Sequence, residues 1–183
     1  MIYGVRCVQR LAEQGHDVHV LVSPAGEKVL GIEHGLSADP LSWFDEPPRS
    51  HVERLSIDDI AARPASGSQV PRAMIVVPCS MGTVGRIAAG LSSNLLERAA
   101  DVVMKERRPL ILVPRETPLS ALHLRHLSTL AELGVRIVPA MPAFYTQPAS
   151  IDDMIAFVVD RALDAADLNV PLRRTWRPDE GEA

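Results

Sequence analysis

Apolar residues along the chain switch between helical spacing and short unbroken runs. Spacing of three and four residues predicts helices at residues 3–14, 25–32, from about 84, 95–106, 119–133 and 151–166. Short apolar runs predict strands at residues 17–22, 73–77, 110–113 and 135–138. Between residues 35 and 72 the pattern weakens, and only 51–55 is typical of a strand, so we expect a long connection there.

The order of these elements predicts the fold class. The runs at 73–77 and 110–113 show no polar alternation, which indicates strands covered on both faces in a parallel sheet. Strands that alternate with helices predict a doubly wound α/β fold of the Rossmann or flavodoxin-like type, with a mostly parallel sheet in three layers. Such sheets normally begin with a central strand, whereas this chain begins with a helix. We therefore expect that the first strand is missing.

Composition narrows the class of protein. The 183 residues are 46% hydrophobic and 23% charged, which is typical of one globular domain. A net charge of −4 argues against a nucleic-acid surface, which needs a clustered basic excess. No run approaches the roughly 18 to 20 apolar residues that span a bilayer, and no signal-peptide pattern opens the chain. Two cysteines, Cys7 and Cys79, lie in apolar stretches outside any C-x-x-C pair, which favours a reducing cytoplasm.

Small hydroxyl and glycine residues follow two of the predicted strands. Ser23 ends the strand at 17–22, and the turn PCSMGT (78–83) follows the strand at 73–77. In open α/β sheets this carboxyl edge is where ligands bind, and hydroxyls with backbone N–H groups at a helix N-terminus suit an anion. The alternative is that Ser23 and either Ser80 or Thr83 are ordinary helix caps.

Charged and aromatic residues are further candidates for the same edge. Arg115 and Glu116 close the strand at 110–113, where an arginine suits a phosphate and a glutamate suits proton transfer; a structural ion pair or a helix cap is the alternative. Tyr145 follows the last strand and suits either an anionic ligand or a core plug with Phe144. Taken by spacing alone, Lys105 belongs to a solvated basic run and Arg161 to a surface ion pair.

Other chemistries find little support in the sequence. His123 and His126 are three residues apart on a predicted helix, but no Cys, Asp or Glu stands at ligand spacing, so a bound metal is not expected. The G-x-S-x-G elbow of many hydrolases and the P-loop of many NTPases do not occur.

Three motifs in order resemble one family. The stretch 97–120 (ERAADVVMKERRPLILVPRETPLS), PAMPAFY at 139–145 and IDDMIAFVVDRALD at 151–164 resemble the UbiX/Pad1 flavin prenyltransferases, and the likeness runs from Ile2 to about Trp176. The resemblance implies transfer of a dimethylallyl group from dimethylallyl monophosphate to N5 and C6 of reduced FMN, without a metal. The product would be prenylated FMN for a UbiD-type decarboxylase.

The resemblance also assigns residues by position. Those implied to contact FMN are Ser23, Ser80, Met81, Gly82, Thr83, Arg98 and Arg115. Those implied to surround the prenyl phosphate are Lys105, Arg115, Glu116, Tyr145, Arg161 and Trp176. Glu33, Lys105 and Glu116 are implied to take part in catalysis, with Glu33 near the reacting flavin. Family members form dodecamers with sites between subunits, which would bring apparently exposed residues such as Arg161 into a pocket, and residues 65–68 resemble a loop that approaches a neighbouring subunit.

Domain organisation and two alternatives complete the hypothesis. We expect residues 1–166 to form one flavin-binding domain and residues 167–183 a tail that packs on a neighbouring subunit. Family members begin with a strand and a Gly-rich loop that precede the residues matching 2–6; a misplaced start would explain their absence, and a true absence predicts poor FMN binding.

Two alternative functions stay open. The alternatives are an FMN-dependent cysteine-decarboxylase-type flavoprotein, or a non-catalytic FMN-binding or assembly subunit.

Overall fold

Helices and strands alternate along the chain, as the apolar pattern predicts. The computed structural model describes residues 1–48 and 50–171. The strands in this part of the chain are β1 (Val18–Leu21), β2 (Val52–Leu55), β3 (Met74–Cys79), β4 (Leu110–Pro114) and β5 (Arg136–Ile137). The helices are α1 (Ile2–Glu13), α2 (Pro24–His34), α3 (Met81–Ala88), α4 (Leu95–Lys105), α5 (Ala121–Glu132) and α6 (Ile151–Asp164). Short 3-10 turns occupy Pro40–Trp43, Arg63–Ala65 and Gly67–Gln69 in the long connection.

All of these strand pairings are parallel, which confirms the predicted α/β class. β1 pairs with β2 from Val18↔Val52 to Leu21↔Leu55, and β4 pairs with β3 on one side and β5 on the other. Each residue of β4 is buried. Leu110 and Leu112 pack into a core that α3, α4 and α5 share, whereas Ile111 and Val113 pack into a core with α6. Because helices cover both faces, β4 needs no polar alternation.

The strands form two sheets rather than one, a division that periodicity does not reveal. β1 and β2 make one sheet, and β3, β4 and β5 make the other. Side-chain packing joins them: Val18 of β1, and Ile75 and Val77 of β3, pack against the same cluster as Cys7 and Leu11 of α1. A Cβ on Gly4 would lie 2.6 Å from the carbonyl oxygen of Val77, so α1 approaches the backbone of β3 at a distance that only glycine allows.

Several element boundaries differ from the predictions. α3 begins at Met81 rather than near residue 84, because the Ser80 side chain caps the helix immediately after β3. β5 has two residues where four were predicted. Ile151, predicted on the apolar face of the last helix, is 76% exposed, because the buried side chains of α6 begin at Val158. None of the helices in the described part of the chain combines the length and apolarity that a membrane span requires.

Candidate functional site

The turn between β3 and α3 presents hydroxyl and N–H donors. Ser80 Oγ accepts a hydrogen bond from the Thr83 N–H at 3.2 Å and lies 3.0 Å from Thr83 Oγ1. Ser80 is therefore an N-cap, as one interpretation predicted. Capping uses the hydroxyl as an acceptor and leaves its proton available, and the first N–H groups of a helix have no partner within it. Ser80 and Gly82 are exposed, whereas the Met81 side chain is buried in the core, so Met81 can offer a ligand only its backbone.

Ser23 has the same relation to α2 as Ser80 has to α3. It follows β1 directly, and its Oγ accepts the Gly26 N–H at 3.1 Å. The cap interpretation is therefore confirmed here too, and the Ser23 side chain is only partly buried. Two capped helix N-termini thus follow the carboxyl ends of β1 and β3, the edge at which open α/β sheets bind ligands.

Arg115 and Glu116 follow the buried strand β4 and are both exposed. Glu116 Oε1 accepts the Thr117 N–H at 3.1 Å, which fixes the carboxylate within its own loop. Among the residues that the structure describes, Arg115 has no carboxylate within 4.0 Å, so the structural ion pair considered as an alternative does not form there. An exposed guanidinium with its donors open is suited to a phosphate.

Glu33 lies at the last turn of α2 and is exposed. The amino group of Met1 donates to Glu33 Oε2 at 3.1 Å, and His34 Nε2 lies 3.4 Å from the same oxygen. This hydrogen bond, and then the charge of the amino group, lower the pKa of Glu33, with smaller contributions from His34 and Arg115. The effect of Arg115 shows that the end of α2 and the end of β4 lie within electrostatic range of each other.

Lys105 lies at the carboxyl end of α4 and is exposed. Its Nζ is 3.4 Å from Glu106 Oε1. A Cβ on Gly67 would lie 2.5 Å from that same oxygen and 3.6 Å from Lys105 Nζ, so the loop 65–68 rests directly against the lysine and its partner. Any side chain at position 67 would displace this pair.

Tyr145 and Arg161 share a different surface. The core-plug interpretation of Phe144 and Tyr145 is wrong, because the two residues are 71% and 60% exposed. The Tyr145 ring meets Phe157 edge-to-face at 5.9 Å between centroids. Arg161 lies 3.6 Å from Asp164, the surface ion pair that its spacing predicts. Arg161 and Phe157 also line an open cavity of about 300 Å³ with Met141 and Pro139.

The remaining predicted residues that the structure describes make local contacts. Arg98 on α4 donates to Asp101 at 3.2 Å and is partly exposed. Trp176 lies outside the described residues. His123 Nδ1 accepts the Ser120 N–H at 3.3 Å and completes a capping box at the start of α5. No cluster of three or more His, Cys, Asp or Glu side chains suited to a metal is found in residues 1–48 and 50–171.

Sequence reasoning missed a buried carboxylate behind the α3 turn. Glu97 is 1% exposed and accepts from the Ser93 N–H at 2.8 Å, Asn94 Nδ2 at 3.2 Å and Arg86 Nε at 2.5 Å. Burial acts to raise the pKa of Glu97, but the hydrogen bonds from Ser93 and Arg86, with the charge of Arg86, outweigh it and lower the pKa. The signal was an N-x-x-E pattern at residues 94–97, which is typical of a capped helix start.

The structure brings the predicted residues together only in part. Ser80 and Thr83 are in direct contact, and the charge of Arg115 makes a small contribution to the lowered pKa of Glu33. Lys105 and Arg161 instead make ion pairs with neighbours on the same part of the chain, Glu106 and Asp164.

Comparison with known proteins identifies the class and then the family. The fold is that of a flavoprotein, and the family model described as Flavoprotein matches residues 1–163. The flavin prenyltransferase UbiX of Synechocystis is 45% identical over 192 residues, covering 100% of this chain and 93% of the relative. This chain belongs to the UbiX flavin prenyltransferase family.

Solved structures also match this fold, among them the following two. The dodecameric FMN-dependent UbiX-like decarboxylase of Escherichia coli O157:H7 has 40% identity and a TM-score of 0.87, with 97% of this chain and 93% of that chain covered. AnUbiX (PadA1), solved in complex with FMN and dimethylallyl pyrophosphate, has 36% identity and a TM-score of 0.88, with 97% and 91% covered.

Proposed function

We propose that this protein is a flavin prenyltransferase that transfers a dimethylallyl group from a dimethylallyl phosphate to reduced FMN, giving prenylated FMN. The main structural support is the end of β4, where Arg115 is exposed directly after a buried strand and pairs with no carboxylate among residues 1–48 and 50–171. Membership of the UbiX family supports the same activity. A cysteine-decarboxylase-type flavoprotein is not favoured, because the relatives from Synechocystis and Pseudomonas aeruginosa, 45% and 41% identical to this chain, are both flavin prenyltransferases.

The donors fit FMN. Its phosphate requires several hydrogen-bond donors, and the α3 turn offers the hydroxyls of Ser80 and Thr83 with backbone N–H groups at a helix N-terminus. Ser23, Arg98, Arg115 and the backbone of Met81 and Gly82 complete the proposed contacts with FMN. The chemistry that reduced FMN supplies is nucleophilic carbon and nitrogen at C6 and N5.

Charge stabilisation is the proposed task of the phosphate-binding residues. When the allylic C–O bond breaks, its electron pair leaves with the phosphate, and nearby cations lower the free energy of that state. Arg115 and Lys105 supply fixed positive charge and N–H donors, and Glu116 delivers a proton to the departing phosphate. Glu33 lies by proposal near the reacting face of FMN, where a carboxylate can accept or orient a proton.

The proposed assembly is a homo-oligomer with sites between subunits. Tyr145 and Arg161 are exposed on a surface separate from the contacts of Lys105, and an interface would bring the two groups together. The dodecameric relative supports the homo-oligomer. By proposal, residues 1–166 form the flavin-binding domain. The prediction that the tail starts at residue 167 and packs on a neighbouring subunit is wrong for residues 167–171, because Val170 is buried in the same cluster as Cys7 and Leu11, and the Pro171 carbonyl accepts from Arg10. The proposal is kept for residues 172–183, which lie outside the described residues and include Trp176, proposed to contact substrate.

A transfer assay tests the activity. The protein is incubated without oxygen with reduced FMN and either dimethylallyl monophosphate or the pyrophosphate, and the flavin is analysed by mass spectrometry. We expect one added dimethylallyl unit with at least one of the two phosphates, and far less product in the same time with Arg115→Ala. FMN binding without any product in either reaction would favour the non-catalytic alternative.

A mixing experiment tests the shared site. Arg115→Ala and Arg161→Ala are co-expressed with different tags, and hybrid oligomers are isolated. If the two residues belong to one site contributed by two subunits, some sites in the hybrid are intact and activity returns in part. Arg115→Ala mixed with Glu116→Ala is the control, since both changes lie in one loop and no recovery is expected. If neither hybrid recovers activity, the shared site is contradicted.

The proposed role in metabolism is to supply a UbiD-type decarboxylase in the cytoplasm. Cys7 and Cys79 are free and buried, which suits a reducing compartment. Addition of the reaction mixture to an apo UbiD-type decarboxylase should restore decarboxylation, whereas a mixture made with Arg115→Ala should not.

A further inference from the structure

Glu97 and Arg86 form a support behind the turn between β3 and α3. Glu97 lies in the first turn of α4, is 1% exposed and accepts three N–H donors. One of these is Arg86 Nε at 2.5 Å. The carboxylate is thereby satisfied and immobile, and it holds the near side of the guanidinium.

The far side of the same guanidinium reaches the turn. Arg86 donates through Nη2 to Thr83 Oγ1 at 3.2 Å, and Arg86 Nη1 lies 3.4 Å from the position that a Cβ of Gly82 would take. A planar fork can hold two partners in fixed directions at once, which a lysine ammonium on a flexible stem does not. Arg86 therefore connects a buried anchor on α4 to the first turn of α3.

The hydrogen bonds of Ser80 and Thr83 determine which hydroxyl proton the turn can donate to a ligand. Thr83 Oγ1 accepts from Arg86, and Ser80 Oγ accepts from the Thr83 N–H. The contact between the two hydroxyls, at 3.0 Å, uses one of their two protons. The second proton is left to donate outward, beside the open N–H groups of the helix N-terminus.

We infer that Arg86 and Glu97 are positioning residues that orient the hydroxyl protons and first turn of α3 toward the FMN phosphate. The inference rests on the proposed function for the identity of the ligand. It adds two residues that act through Thr83 and Ser80 and need not touch the reacting atoms.

Binding and turnover of four proteins test the inference. FMN affinity is measured by quenching of flavin fluorescence in the parent, Arg86→Ala, Arg86→Lys and the control Arg136→Ala. Arg136 has a matching exposure of 42% against 45% for Arg86 and also pairs with an acidic side chain, Asp167, but it lies at the start of β5 rather than beyond a strand's carboxyl end. We expect Arg86→Ala to raise the Kd for FMN about tenfold, the loss of one charged hydrogen bond, with kcat at saturating FMN within about twofold of the parent.

The lysine variant separates position from charge. If Arg86 acts by positioning, Arg86→Lys raises the Kd nearly as much as Arg86→Ala, because one ammonium cannot hold both Glu97 and Thr83. Parental affinity in Arg86→Lys, or an unchanged Kd in Arg86→Ala, overturns the inference. A Kd that rises equally in Arg136→Ala would mean general loss of stability and also overturns it.

Hydrogen exchange provides a readout that needs no flavin. Mass spectrometry of the ligand-free proteins should show faster exchange in peptides covering residues 81–88 in Arg86→Ala, with residues 121–132 unchanged. If the parent binds no FMN, the proposed function fails while this measurement still decides the inference. Exchange at 81–88 that matches the parent would count against positioning.

Discussion

Two arginine–glutamate combinations lie beyond neighbouring strands of the sheet, and their surroundings are opposite. Beyond β3, Arg86 is held at 2.5 Å by Glu97, which is buried. Beyond β4, Arg115 and Glu116 are both exposed, and the Glu116 carboxylate accepts from the backbone of Thr117. The same two residue types thus make a support in one place and leave open donors in the other.

Burial determines how each of these charged pairs can be used. A buried carboxylate must be fully satisfied, because an unpaired one costs several kcal/mol, roughly 3–5 when a partner is removed. Its partners are therefore fixed. An exposed arginine has water as its alternative partner and can exchange it for a ligand phosphate at little cost. We expect mutations in the first pair to change mainly stability and flavin affinity, and mutations in the second to change mainly catalysis.

Arg115→Ala should give the largest effect. We expect kcat/KM for prenyl transfer to fall by about 10²–10³-fold, the range for removal of one preorganised donor to a developing anion. The melting temperature should stay near that of the parent, because Arg115 is exposed and not ion-paired within the described residues. Steady-state kinetics and calorimetry measure both. A large fall in the melting temperature would mean that Arg115 is structural.

Glu97→Ala should have the opposite pattern, a loss of stability with a much smaller loss of kcat. Loss of hydrogen bonds from Ser93, Asn94 and Arg86 should lower the free energy of unfolding by roughly 2–3 kcal/mol, with kcat at saturating FMN much less affected than in Arg115→Ala. Glu116→Ala is the matched control for stability, since its carboxylate accepts one local N–H and is exposed. Denaturant unfolding measures the difference; equal stability of the two variants would remove the contrast.

The contribution of Glu97 to stability should also depend on pH. The folded-state pKa of Glu97 is lowered, so its contribution to stability is present above the unfolded pKa of about 4.3 and is lost as pH falls through the folded value. Glu97→Gln does not titrate. We expect the melting-temperature difference between the parent and Glu97→Gln to be constant from about pH 8 to 6 and to shrink below about pH 4.5. A difference that does not begin to shrink as the pH falls below about 4.3 would contradict the lowered pKa.

Tyr145→Phe should give the smallest effect. It removes one hydroxyl and keeps the edge-to-face contact with Phe157, so stability should change by less than about 0.5 kcal/mol. If the hydroxyl binds the prenyl phosphate, KM for the dimethylallyl substrate should rise about fivefold to tenfold, as expected for one hydrogen bond. Phe144→Leu, on the neighbouring exposed ring, is the control and should leave KM unchanged. An unchanged KM in Tyr145→Phe would remove Tyr145 from the proposed site.

Much of the fold followed from local patterns. The apolar run of β4 and the three- and four-residue spacing of α4 predict their positions to within a residue. A strand buried on both faces and a helix buried along one stripe have distinct hydrophobic periodicities. The start of α3 was predicted three residues late, since the cap at Ser80 depends on a side-chain hydrogen bond. Ile151 was wrongly assigned to the buried face because the first turn of α6 extends beyond the core.

The candidate site was only partly accessible to sequence reasoning. Residues at strand ends, such as Ser23, Ser80 and Arg115, were found because parallel strands deliver their last residues to one edge. The choice between cap and ligand contact at Ser80 could not be made, since one hydroxyl can do both. Arg86 and Glu97 were missed because they are 11 residues apart and their pairing depends on how α3 packs beside α4.

The parallel α/β class, the placement of most elements and, through the motifs, a resemblance to flavin prenyltransferases could be predicted from the sequence alone. These are properties of periodicity and local order, which each segment carries independently. The division of the strands into two sheets, the burial of Glu97 against Arg86 and the exposure of Arg115 beyond β4 follow from the tertiary structure and were not predicted. The reason is physical: the use of a charged side chain depends on its burial and its partners, and these are set by contacts between segments far apart in the chain.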